Sequence, residues 1–135
     1  MSAYSLSLFL QMFINNGSSV LDAASIFEMR KIVGDGTIPY YSQNTFTNTE
    51  GLPSLRYGLS WYWATLSDGR RYIGHSGALP GSRHWMLVNE KNTLGTIFLS
   101  NGDSNGPDNR TFNVYRTLES IQMKLFECFD VDSHN

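Results

Sequence analysis

The stretch best suited to take part in chemistry is the strand end His75-Ser76-Gly77, which is followed by Ala78. A strand that ends in this way places two polar side chains at a sheet edge, beside a residue without a β-carbon. Glycine at that place lets a ligand or another backbone approach closely. The Ala78 amide then points into the space beside the edge, where an N–H can hydrogen-bond an anionic oxygen. These four residues form the predicted binding site.

Neither a serine nucleophile nor a metal centre is favoured at this strand end. A nucleophilic Ser76 of the G-x-S-x-G type would need glycine at the last position, where the sequence has Ala78. The histidines, His75, His84 and His134, have no metal-binding spacing such as H-E-x-x-H. We therefore expect no metal and no cofactor, a structural role for His84, and a place in a polar tail for His134.

Strands must position this site, and the sequence between residues 57 and 100 has their pattern. Alternation of apolar and polar residues predicts a strand at Tyr57–Thr65, and further antiparallel strands are predicted at Arg71–Ser76, Arg83–Asn89 and Thr93–Ser100. Asp68-Gly69 is typical of a tight hairpin turn. The segment 77–81 is expected to break the second strand. The last strand is apolar on both faces, which predicts a central position in the sheet.

Helices are predicted on either side of the strands. Residues 1–33 contain two short amphipathic segments, with Ser5 and Asp22 as the expected N-caps. A long helix is predicted from Asn109 to Phe129.

The fold class is therefore predicted to be α+β, with an antiparallel sheet covered by the C-terminal helix. That helix should bury Leu118, Ile121 and Leu125 against the sheet. Residues 34–56 have no period and predict a loop. The three tryptophans, Trp61, Trp63 and Trp85, are expected in the core. Residues 1–135 should form a single domain.

Four segments, in the same order as in the family, resemble the serine β-lactamases and penicillin-binding proteins. GHSGALPG, Gly74–Gly81, is similar to the H-[ST]-G variant of the K-T-G strand motif in class C-like relatives. YGLSWYW, Tyr57–Trp63, is similar to the Y-G-L-G-W strand. SAYSLSLFLQMFINNG and VLDAASIFEM resemble a helix of the family and the segment that follows it. The resemblance implies the C-terminal part of a β-lactamase/transpeptidase-like fold.

The resemblance also implies a role for each residue of the predicted site. His75 takes the place of the motif's lysine or histidine, which helps to hold a substrate carboxylate or to set the charge of the site. Ser76 supplies the hydroxyl that donates to the substrate, and Gly77 completes the motif. Ala78 supplies an oxyanion-hole amide through its backbone.

The sequence departs from the family at its other two motifs, S-x-x-K and Y-x-N. The residues three positions before the lysines are Glu28, Val88 and Ile121, so none of them is a serine. No tyrosine is followed two residues later by asparagine. An acyl-enzyme needs a nucleophile activated by a neighbouring base. We therefore interpret the chain as a fragment of a serine hydrolase for β-lactam, peptide or ester substrates, inactive alone.

Two alternatives stay open. The chain could be a non-catalytic binding or interaction module, a pseudoenzyme of the same fold. It could also be one chain of a split enzyme, completed by an N-terminal segment that carries S-x-x-K. The substrate, a small molecule or a peptide, is not determined by the sequence.

Composition excludes some partners. The formal net charge of −2 gives no reason to expect nucleic acid. The apolar start, Leu6–Ile14, is far shorter than the ~20 residues that span a bilayer, so we expect no membrane partner. A single cysteine, Cys128, excludes an intrachain disulfide. The sequons at Asn16 and Asn109 would matter for a secreted chain.

Overall fold

The computed structural model describes residues 2–34, 55–101 and 110–130. The elements in chain order are α1 (Ala3–Ile14), α2 (Ala23–Arg30), β1 (Leu55–Tyr57), β2 (Tyr62–Thr65), β3 (Arg71–Leu79), β4 (Ser82–Asn89), β5 (Gly95–Asn101) and α3 (Arg110–Phe129). The strands form one antiparallel sheet in the order β1-β2-β3-β4-β5. The predicted α+β class, its two N-terminal helices and its C-terminal helix are confirmed. Most of the predicted loop 34–56 lies outside the described residues, and its end is wrong because β1 begins at Leu55.

Tight turns set the order of the strands. The Asp68-Gly69 turn between β2 and β3 is confirmed: Gly69 has a φ of 77°, and the Leu66 amide donates to the Arg70 carbonyl at 3.1 Å. The next turn is Pro80-Gly81, where Gly81 has a φ of 80°. Proline followed by a residue of positive φ is typical of a type II turn.

Two predicted strands differ from the structure by three residues or more. Tyr57–Thr65 is not continuous but turns between β1 and β2, where the Gly58 amide donates to the Trp61 carbonyl at 2.7 Å. The turn passes close to α2: a β-carbon on Gly58 would lie 2.3 Å from the Lys31 carbonyl oxygen. The prediction for the second strand, Arg71–Ser76, was also wrong, because this strand is longer in the structure. β3 does not end at Ser76, since β4 pairs with it as far as Leu79.

The sheet has an apolar layer on each face. On one face, α1 and α2 pack on β3 and β4 through Phe13, Ile26, Ile73 and Val88, all at most 1% exposed. On the other face, α3 packs through Phe126, which joins a cluster made by residues of β2, β3 and β4: Tyr62, Ala64, Tyr72 and Leu87. Trp61 and Trp85 are buried, as predicted, whereas Trp63 is half-buried and packs against the cluster on the α1 face.

Helix α1 begins earlier than the sequence predicts. Its N-cap is Ser2, whose hydroxyl accepts a hydrogen bond from the Ser5 amide at 3.1 Å. Ser5 is therefore inside the first turn and is not the cap. The prediction for α2 is confirmed, since Asp22 caps it and accepts from the Ser25 amide at 2.6 Å.

Strand β5 lies at the edge of the described sheet, not at its centre. Its apolar character on both faces has another cause, because α1 covers one face and α3 the other. On the first face Gly95 makes room for α1: a β-carbon there would lie 2.5 Å from the Leu10 side chain. Apolar flanks on both faces therefore do not distinguish a central strand from an edge strand between two helical layers.

The face that α3 turns to the sheet is rotated from the predicted one. Leu118 is 7% exposed, as expected, whereas Ile121 is 40% exposed and Leu125 is half-buried. Gln122 is fully buried and donates to the Thr96 hydroxyl. The face is displaced from Ile121 towards Phe126, which is 1% exposed and packs against Tyr72 of β3.

Leu118→Ala should lower the free energy of unfolding by roughly 2–5 kcal/mol, because truncation of a buried leucine leaves a cavity. Ile121→Ala, three residues along the same helix, should cost much less because its side chain is 40% exposed. Chemical denaturation of both variants measures the difference. Equal losses for the two variants would contradict the orientation of α3.

The chain alone should associate in solution. The described residues provide no strand partner for the outer edge of β5, and Tyr4, Leu8 and Leu99 are 74%, 50% and 39% exposed. Open sheet edges and exposed apolar side chains both promote association. Size-exclusion chromatography with light scattering should show oligomers, and Leu99→Lys, which adds a charge to β5, should shift them towards monomer. A clean wild-type monomer with a sharp, cooperative thermal transition would contradict this expectation.

Candidate functional site

The predicted site lies where β3 extends beyond β2. Strand β2 pairs with Arg71–Gly74, whereas β4 pairs with Tyr72–Leu79. The second half of β3, His75–Leu79, therefore has β4 on one side. On its other side none of the described strands lies, and this open edge carries the four residues singled out from the sequence.

The direction of each backbone amide on β3 follows from the turns. Because the Leu66 amide donates to Arg70, Arg70 faces β2. Hydrogen-bonding directions alternate along an antiparallel strand, and the pairing with β4 is continuous, so Ser76 and Ala78 also face away from β4. The β4–β5 turn gives the same assignment. The Asn89 amide donates to the Leu94 carbonyl, so Asn89 faces β5 and its neighbour Val88 faces β3. The Ala78 N–H therefore points to the open edge.

The side chains of His75 and Ser76 lie on opposite faces of the sheet. His75 is exposed, and its partner Met86 belongs to the cluster on the α1 face. Ser76 is half-buried on the α3 face. Gly77 is exposed, and a β-carbon placed on it would meet no described atom within 4 Å. The described strands thus leave the site open on this edge, with polar groups above and below it.

Tyr62 contacts both polar residues of the motif, and the sequence did not reveal it. Its ring centroid lies 6.2 Å from that of His75, and its side chain hydrogen-bonds Ser76. Burial raises the pKa of Tyr62 to about 12, against the effect of Ser76, which lowers it. Tyr62 is therefore a neutral phenol at physiological pH, able to orient the Ser76 hydroxyl.

A second group of residues borders Ser76 and Ala78 from β4 and α3. Trp85 pairs with Ser76, and Arg83 pairs with Ala78. The Tyr115 ring packs edge-on against Trp85 at 4.9 Å between centroids, and the Arg83 guanidinium carbon lies 5.9 Å from the Tyr115 centroid. Arg83 was foreseeable, since a two-residue turn at Pro80-Gly81 pairs it with Ala78. Tyr115 was not, because no local pattern relates α3 to the strand.

The remaining candidates lie elsewhere. His84 accepts a hydrogen bond from the Ser100 amide at 3.3 Å, in keeping with a structural role, and His134 lies outside the described residues. Within the described ranges there is no group of three metal-binding side chains and no helix long and apolar enough to cross a membrane.

Two cavities are found away from the site. One, of about 360 Å³, lies between α1 and β5 beside Leu10 and Gly95. The other, of about 580 Å³, lies at the far end of the sheet beside Arg70 and Lys91. Neither is lined by the four site residues.

Comparison with known proteins places this geometry in a family. The family model described as Beta-lactamase matches residues 1–119, which include α1, α2, all five described strands and the first half of α3. No curated protein matches the chain. The chain belongs to the Beta-lactamase family, and the resemblance seen in the sequence is confirmed.

Proline substitutions test the direction of the amides on β3. Gly77→Pro removes an N–H that faces β4, so it should lower the free energy of unfolding by about 1 kcal/mol or more. Ala78→Pro removes an N–H at the open edge, where proline is tolerated, and should cost less. Denaturant unfolding of the two variants measures the difference. A larger loss for Ala78→Pro would mean that its amide is part of the ladder.

Proposed function

We propose that this chain provides the substrate-binding strand of a serine hydrolase that works through an acyl-enzyme. The observation that carries the proposal is the open edge of β3, at which the Ala78 N–H and the Ser76 side chain flank the exposed Gly77. Membership of the Beta-lactamase family supports it, because that family model spans the whole strand.

In this function the substrate carbonyl lies beside the edge. When a serine oxygen attacks the carbonyl carbon, the carbonyl oxygen becomes negative and accepts a hydrogen bond from the Ala78 amide. The Ser76 hydroxyl, hydrogen-bonded to Tyr62, donates to a polar group of the substrate. His75, which is exposed on the opposite face, adds polar contact at the mouth of the site. Loss of the leaving group gives the acyl-enzyme, which water then hydrolyses.

The nucleophile in this proposal is a serine outside the chain. The sequence has neither S-x-x-K nor Y-x-N, so it lacks the motifs that provide the family's serine and its base. A segment with both motifs would complete the site, either in the same polypeptide or as a separate chain. Without it, the strand binds substrate but does not acylate.

A second candidate function is a binding module without catalysis. The same open edge favours it, because unpaired N–H and C=O groups can hold an extended peptide by strand addition. Recovery of hydrolysis with a complementing segment separates the two candidates.

The purified chain should not hydrolyse nitrocefin or p-nitrophenyl acetate faster than a His75→Ala control, because it lacks the nucleophile and the base. When it is joined to a Beta-lactamase family segment that bears S-x-x-K and Y-x-N, hydrolysis should appear. In the joined protein Ala78→Pro should lower kcat by about 10²–10³, the usual loss for one oxyanion-hole donor.

Two results would contradict the proposal. The first is turnover by the chain alone with one stoichiometrically acylated serine found by mass spectrometry. The second is a folded joined protein that is acylated equally fast with and without the Ala78 amide. The binding-module function would be favoured instead if the joined protein folds, binds peptides at β3 and never acylates.

A further inference from the structure

Strand β5 has an outer edge with which none of the described strands pairs, and its sequence lacks the features that usually protect such an edge. Exposed edge strands commonly carry charged side chains, proline or a bulge, each of which discourages pairing with another chain. The strand Gly95–Asn101 contains no charged residue and no proline, and its pairing with β4 is continuous. A strand of this kind is typical of one that pairs on both sides.

The backbone groups of β5 that point outward follow from its pairing with β4. The Asn89 amide donates to the Leu94 carbonyl, so Leu94 faces β4. Because hydrogen-bonding directions alternate along an antiparallel strand, Thr96, Phe98 and Ser100 face β4 as well. The N–H and C=O groups that point away from the sheet belong to the other residues of the strand, Gly95, Ile97, Leu99 and Asn101.

The cavity of about 360 Å³ beside Leu10 and Gly95 is a groove along this edge, since α1 and β5 line it and β4 does not. Its lining contains no charged residue, and it includes Tyr4, which is 74% exposed, and Ile97. Leu99, two residues along β5 on the same face, is 39% exposed. The groove therefore fits a neutral, apolar side chain from a strand added to β5.

The strand that matches these features is a second copy of β5 itself. When two copies run antiparallel with Phe98 opposite Phe98, every outward-facing residue meets another outward-facing residue. Ile97 then pairs with Leu99 of the second copy and Gly95 with Asn101, and each pair exchanges both N–H···O=C bonds. The Ile97–Leu99 pair lies on the α1 face, where Ile97 borders the groove. No like charges meet across the axis, because the strand carries none.

We infer that this chain forms a dimer with twofold symmetry, in which β5 pairs with β5 of a second copy to make one continuous antiparallel sheet. An interface of this type uses the same surface on both copies, so it closes at two copies and leaves no edge of β5 for a third. It lies on the opposite side of the sheet from the open edge of β3, and the inference is therefore independent of the proposed function.

Cysteine crosslinking tests this register in a Cys128→Ser background, which removes the only cysteine of the chain. Phe98→Cys places two thiols opposite each other at the axis, where Cα atoms about 4.5 Å apart suit a disulfide. Ser100→Cys is the matched control on the same strand and face, because its two copies would lie about 13 Å apart. At micromolar protein, Phe98→Cys should form the covalent dimer at least about tenfold faster than Ser100→Cys, since paired thiols react at millimolar effective concentration.

A second pair of variants serves if Phe98→Cys does not fold or weakens the contact. Ile97→Cys and Leu99→Cys, each in the Cys128→Ser background, should crosslink when they are mixed and much less when each is oxidised alone. Light scattering on the wild-type chain should give twice its mass of 15.2 kDa.

A monomeric wild type would overturn the inference, and pairing of β5 with some other segment of the protein would give that same result. Equal crosslinking rates for Phe98→Cys and Ser100→Cys would also overturn it, because they would mean random collision. So would a mixture of Ile97→Cys and Leu99→Cys that reacts no faster than either variant alone.

Discussion

The register between β3 and β4 is the constraint on which the site depends. Pro80-Gly81 closes the hairpin with a positive φ at Gly81, and the pairing then runs without interruption to Tyr72. Backbone and side-chain directions alternate with a period of two, so this register decides at once where every group of β3 points. A slip of one residue would turn the Ala78 amide into β4 and the Ser76 side chain to the other face.

The open edge exists because packing against α1 and α2 limits the length of β2. Trp61, just before β2, stacks on Phe13 of α1 with 3.9 Å between ring centroids. The adjoining turn fits against the end of α2, where Gly58 leaves no room for a side chain. These contacts place the β1–β2 turn against the helices, so β2 pairs with β3 only at Arg71–Gly74. Core packing therefore exposes the strand that would bind substrate.

The other face places the neutral phenol of Tyr62 beside Ser76. Tyr62 and Tyr115 reach into the layer between the sheet and α3, and burial raises the pKa of both phenols. A neutral phenol can orient a hydroxyl without competing for a substrate's charge. The same packing places Arg83 against Tyr115.

Local sequence determined the α+β class, the Asp68-Gly69 hairpin, the cap at Asp22 and the motif at His75–Ala78, because each depends on residues that are close along the chain. It did not determine the length of β3 or the edge position of β5, since strand ends depend on which neighbour pairs with them. The buried face of α3 was also misplaced at Ile121, because the covered side of the helix depends on the packing of Phe126 against Tyr72 of β3. Tyr62 joins the site through the pairing of β2 with β3, and Tyr115 joins it through the packing of α3. Contacts of this kind connect residues with no shared local pattern, and the tertiary structure alone decided them.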